Sequence, residues 1–181
     1  MELTIIRHGK TDWNTEHRIQ GHADIELNAE GLRETKELLH KIDSDFEIVY
    51  SSPLKRCLRA AEIIARHLGK ELVVDNDLLE RDFGSLDGKT WVEIIAATGN
   101  AEIRNIDHES EYDYRPYGGE SAEQVKARVL KFLAEIKEKR YQKVLAMSHV
   151  GVIWMMYKLF PDYERLSASS ASIHKFILND D

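Results

Sequence analysis

The chain has one cysteine, Cys57, in 181 residues, so it can form neither an internal disulfide nor a metal site built from several thiolates. Cys57 falls beside Leu54, Leu58 and Ala61 on a segment with helical spacing and reads as a small buried apolar side chain, since nothing near it would activate a thiol. No segment approaches the ~20 consecutive apolar residues that a membrane-spanning helix needs, and the chain opens on a strand-like run rather than a basic leader; a cytoplasmic location is expected. Positive charge is scarce too. Lys and Arg number 25 against 32 Asp and Glu, a net charge of -7. That balance argues against nucleic acid or an anionic membrane as partner, because both require clustered cations; a local cationic pocket is the exception it permits. Repeats and linkers rich in proline or glycine are missing as well. With 43% hydrophobic residues, the sequence is expected to form a single domain over residues 1–181.

What is present alternates between strand and helix. Strand-like runs occur at Leu3 to Ile6, Glu47 to Tyr50, Glu71 to Val74, Lys143 to Met147 and Ser172 to Leu178. Helices are expected after the cap candidate Asn28, from Ser52-Pro53 to a stop at Gly69, near Thr90, from the capping box Ser121/Gln124, and from His149. The fold class this implies is α/β, a three-layer sandwich around a mixed, mostly parallel sheet. Residues 81–119 form the least regular part, and Asn100 to Gly119 is expected to be a polar loop.

Candidate catalytic groups follow the strands. Arg7 and His8 end the first run, Arg56 follows the second, Glu80 the third and His149 the fourth, and in an open α/β sheet such ends converge on one crevice. The pattern reads R-H-G-x-T-x-x-N from Arg7 to Asn14, then Ile19-Gln20-Gly21, S-S-P-L-x-R ending at Arg56, Glu80 with Gly84 and Gly88 behind it, and Ser148-His149. In order and spacing these motifs resemble those of the histidine phosphatase superfamily, the phosphoglycerate-mutase-like enzymes, over nearly the whole chain.

The residue types suit phosphoryl transfer, in which negative charge spreads over oxygens that need donors fixed in advance. Arg7 and Arg56 are the expected clamp, because a guanidinium fork can hold two oxygens and stays charged. His149 adds a donor if protonated. His8 needs a free ring nitrogen; nearby cations favour the neutral form, and a hydrogen bond from its other nitrogen to a backbone carbonyl would fix the useful tautomer. The resemblance implies that His8 becomes the phosphohistidine intermediate, that Glu80 is the proton carrier, with Asp82 as runner-up, and that Asn14, Gln20 and Gly21 contact phosphate. Gly9 and Gly21 could let the backbone approach an oxygen closely. It further implies that 81–119 is a lid selecting the substrate, where Tyr112, Tyr114 and Tyr117 could meet the non-phosphate half, while Trp91, Ile94, Ile95, Trp154 and Tyr157 read as packing residues.

The expected function is hydrolysis of a small phosphorylated metabolite by a metal-independent phosphomonoesterase without a cofactor, so activity should survive chelators. Two other readings stay open. A phosphoglycerate mutase would use the same intermediate and return the phosphoryl group to a bound acceptor; a catalytically silent module would bind a phospholigand without turnover. The short length and Gly118-Gly119-Glu120-Ser121 look similar to the broad-specificity and α-ribazole-phosphate phosphatases, and a protein phosphohistidine phosphatase is disfavoured because such compact relatives usually lack a counterpart of Glu80. His17, His22, His40, His67, His108 and His174 lack tight metal-ligand spacing and are mostly expected in solvent, with His22 a pocket candidate.

Overall fold

A computed structural model describes residues 1–179. Five strands, β1 (Glu2–Arg7), β2 (Ile48–Ser51), β3 (Leu72–Val74), β4 (Lys143–Ser148) and β5 (Ile173–Ile177), form one sheet in the order β3-β2-β4-β1-β5. The first four are parallel and β5 is antiparallel at the edge beside β1. The mostly parallel mixed sheet is therefore as expected, with the reversed strand at the edge.

Strand periodicity explains the layers. Leu3, Ile5, Ile48, Tyr50, Val144 and Ala146 point to one face, and Ile6, Val49, Leu145 and Met147 to the other. On the second face lie α2 (Ala29–Leu38) and α3 (Lys55–Leu68), whose Cys57, Ala60, Ala61 and Ile64 bring the helix close to the strands. On the first lie α6 (Ala122–Glu138) and α7 (Val150–Leu159), the former burying Val125, Val129, Phe132 and Ile136 as its spacing requires. Two separate apolar clusters with the sheet between them make three layers.

The caps at Asn28 and Ser121 and the left-handed stop at Gly69 stand where the sequence puts them. Ser52 differs. Helix α3 begins only at Lys55, with Leu54 as its N-terminal boundary and no side-chain cap; the Ser52 hydroxyl lies 2.8 Å from His149 Nε2 and accepts from the Leu54 N–H at 3.4 Å. Two short helices were not anticipated from the spacing of apolar residues, α1 (Asp12–Thr15) and α5 (Ile103–His108); the anticipated helix after Thr90 is α4 (Trp91–Thr98). Among the described residues no helix is long and apolar enough to cross a membrane.

Candidate active site

Strand register places the two imidazoles side by side. Arg7 pairs with Ser148 across β1 and β4, so the next residues, His8 and His149, emerge together, and their ring centroids lie 5.2 Å apart. Ser51 pairs with Met147, which carries the start of α3 and Arg56 to the same sheet edge. Arg7, His8, Asn14, Gln20, Gly21, Arg56 and Glu80 line one cavity of about 900 Å³. His149 is fully buried behind His8.

The Nδ1 nitrogen of His8 lies 2.7 Å from the Gly9 carbonyl oxygen, which can only accept, so Nδ1 carries the proton and Nε2 keeps its lone pair, with no partner among the described residues. Burial is the main force holding this imidazole well below its ordinary range, followed by Arg56 and then Arg7. Cations favour the neutral ring as expected, but exclusion of water is the larger cause. Gly9 serves a different contact from the expected one: a Cβ there would collide with the backbone of Gly31 on α2, so the glycine lets the loop after His8 pack on that helix.

Main-chain carbonyls aim both guanidiniums. Arg56 donates from Nη1 to Ala23 O and from Nη2 to Gly21 O, each at 2.7 Å, and Arg7 donates from Nη1 to Ala168 O at 2.6 Å. The Nε of each is buried and unpartnered among the described residues. Burial lowers both from so high a starting value that they remain cations. Gly21 thus contributes a carbonyl that orients Arg56. His149 was expected to add a donor if protonated; burial first, then Arg56, holds it well below its ordinary value, so it stands here as a neutral imidazole. Cys57 packs against it, with Sγ 3.4 Å from His149 Nε2, and burial pushes its thiol upward.

Glu80 lines the cavity and Asp82 does not. Glu80 Oε1 accepts from the backbone N–H groups of Arg81 at 2.9 Å and Gly151 at 3.0 Å and from Arg81 Nη1 at 3.3 Å. A Cβ on Gly151 would strike that carboxyl oxygen and Arg81 Nη1, so any larger residue in the first turn of α7 would have to push this pair aside. Asp82 Oδ1 is occupied by the Gly84 N–H at 2.7 Å. His22 stands behind the site rather than in it, its Nε2 2.7 Å from Glu80 O, and Arg128 also donates to that carbonyl, at 3.1 Å. The arrangement offers a ring nitrogen lone pair, two fixed cations and a carboxyl group around one hollow.

The model of the histidine phosphatase superfamily, branch 1, matches residues 3–178. The chain belongs to that superfamily. Among its relatives, phosphoglycerate mutase-like protein 4 of Arabidopsis thaliana is 33% identical over 97% of this chain and 75% of its own length. A metal-independent phosphoserine phosphatase of the same plant is 34% identical over 86% of this chain and 67% of its own. A mycobacterial glucosyl-3-phosphoglycerate phosphatase solved with VO3 superposes with a TM-score of 0.81 at 26% identity, covering 96% of this chain and 90% of that one.

Several histidine phosphatase residues here escaped the sequence reading. Tyr112 and Tyr114 are buried, 3% and 1% exposed, and with Tyr117 they stay off the cavity wall; Trp91 and Trp154, expected to be packing, line it. Asp107, expected in a solvated stretch, is 1% exposed and pairs with Arg81. Lys10, Arg18, Arg104 and Arg165 add charge to the wall, and no periodic pattern marks them. For Gly151 the available signal was a glycine two residues after His149. His174 is also buried, between the Tyr157 hydroxyl at 2.9 Å and the Ser172 hydroxyl at 2.8 Å. Elsewhere, Asp75, Asp77 and Glu135 converge, but Lys131 bridges Asp77 and Glu135 at 2.7 and 3.3 Å.

Proposed function

We propose that this phosphatase hydrolyses a small phosphorylated metabolite by a metal-independent route through phosphorylated His8, with Asn14, Gln20 and Gly21 lining the phosphate end. The observation that carries the reading is the free Nε2 of His8 in a cavity shared with Arg7, Arg56 and Glu80. In the first half-reaction the Nε2 lone pair forms the N–P bond while the ester P–O bond breaks. The electron pair leaves with the ester oxygen, which takes a proton from the Glu80 carboxyl. Positive charge growing on the ring is met by the Gly9 carbonyl at Nδ1–H, and the arginines hold the phosphoryl oxygens.

In the second half-reaction the Glu80 carboxylate takes a proton from water, the water oxygen bonds to phosphorus, and the N–P electrons return to Nε2. Inorganic phosphate leaves and Glu80 is protonated again. Two guanidiniums supply the charge that a metal would otherwise bring. Residues 81–119 act as the wall that selects the rest of the substrate. Arg104, which has no carboxylate partner among the described residues, is available there for a second anionic group. Phosphoserine and 3-phosphoglycerate, the molecules bound in phosphoserine phosphatase structures from Entamoeba histolytica, therefore come first in a substrate panel.

Rapid quench with a phosphorylated substrate should trap acid-labile phosphate on His8, and His8→Ala should lower turnover by about 10⁴-fold or more. Retained turnover in His8→Ala, or strict magnesium dependence, overturns the reading. A mutase assay primed with bisphosphoglycerate separates transfer from hydrolysis.

A further inference from the structure

Arg81 and Asp107 are the charged pair beside the site that the reaction scheme leaves unused, with side chains only 3% and 1% exposed. Asp107, on α5, grips Arg81 with both oxygens: Nε donates to Oδ1 at 2.7 Å and Nη2 to Oδ2 at 2.6 Å. The Tyr114 hydroxyl donates to Oδ1 at 2.9 Å. Aromatic rings confine the guanidinium, whose carbon lies 4.8 Å from the Phe83 centroid and 5.4 Å from that of Trp154. With Nε and Nη2 committed, Nη1 is the edge left to face Glu80 Oε1, at 3.3 Å. Two backbone N–H groups already point at the same oxygen. A carboxyl oxygen surrounded by three donors has no room for a proton, so the proton of Glu80 is confined to Oε2.

We infer that Asp107 is a positioning residue for proton transfer: by fixing which edge of Arg81 meets Glu80, it keeps Oε2 free to carry the proton to the leaving oxygen. The inference rests on the acid role of Glu80 proposed above. Without the Asp107 carboxylate, Arg81 becomes a buried cation whose nearest anion is Glu80, and guanidinium geometry favours clasping both carboxyl oxygens. Neither oxygen would then hold a proton. In the intact enzyme the Oε2–H bond breaks as the ester P–O bond breaks, the proton passes to the ester oxygen, and the electron pair stays on Oε2.

The test compares leaving groups of one shape that differ in their need for a proton. Rapid quench of the full chain measures phosphorylation of His8 by 4-nitrophenyl phosphate, whose leaving group departs unaided, and by phenyl phosphate, whose leaving group needs an acid. In Asp107→Asn the ratio of the two rates should rise by about 30-fold over wild type, within the usual reach of general acid catalysis. A second variant, Arg81→Met with Asp107→Leu, replaces the ion pair by apolar groups that restore packing; with no guanidinium left to clasp Glu80, the ratio should return towards the wild-type value. A ratio that stays raised in this double variant, or an equal loss for both esters in Asp107→Asn, overturns the inference and leaves phosphorylation of His8 standing. Absence of phosphate on His8 in the wild-type enzyme instead overturns the reading beneath it.

Discussion

On one side of the cavity, strand ends and main-chain carbonyls aim the reactive groups; on the other, the segment 81–119 is held largely by side chains. His8, Arg7 and Arg56 each lean on a backbone oxygen, of Gly9, Ala168 and of Gly21 with Ala23. Across from them, Arg81, Asp107, Tyr112, Tyr114 and Phe83 form a buried knot of charge and aromatic rings. A side chain aimed by carbonyls can be changed with loss of chemistry and little loss of fold. Removing one member of a buried ion pair strands its partner.

The largest effect should therefore come from the side-chain-held wall. Asp107→Ala leaves Arg81 charged and buried and is expected to cost about 3–5 kcal/mol in denaturant unfolding; stability equal to wild type would erase the distinction between the two sides. On the carbonyl-aimed side, Arg56→Lys loses the fork that spans Gly21 and Ala23 and should lower kcat/KM for 4-nitrophenyl phosphate by about 10²–10³-fold, with little change in the unfolding midpoint. The smallest effect concerns pH. His174, near the same strand ends, is drawn down to about 4, by burial first and then by Arg7. The unfolded chain gains a proton near pH 6.5 that the native chain refuses, so this contribution is complete above pH 6.5 and is lost as the pH falls towards 4. His8 and His149, both held low, act with the same sign. The Tm should fall by about 5 °C or more between pH 7 and pH 5. His174→Gln should flatten that slope; an unchanged slope would separate His174 from the acid sensitivity of the fold.

The same contrast sets what was legible in the sequence. Arg7, His8, Arg56, Glu80 and His149 each follow a strand-like run, and parallel register carries such residues to one edge without knowledge of any contact. Capping boxes and apolar stripes are local, so the helices at Asn28 and Ser121 could be read directly. Arg81 and Asp107 are 26 residues apart, and their union depends on how α4, α5 and the aromatic cluster fold over the sheet. Acidic neighbours and interspersed tyrosines made Asp107 to Asp113 look solvated, whereas a charge can be buried once a partner meets both its oxygens. Protonation escaped for a related reason. His149 was read as a donor if protonated, but complete burial, with Arg56 beside it, holds the ring well below its ordinary value.

Periodicity, strand ends and the ordered motifs determined the layered α/β fold, the family and the identity of the groups at the sheet edge, because each is encoded over a few neighbouring residues. Tertiary structure alone decided which carbonyl fixes the His8 tautomer, that His149 is neutral, that Trp91 and Trp154 rather than the tyrosines face the cavity, and that Asp107 reaches Glu80 through Arg81. Those outcomes depend on water exclusion and on donor and acceptor directions, which exist only after distant segments have packed together.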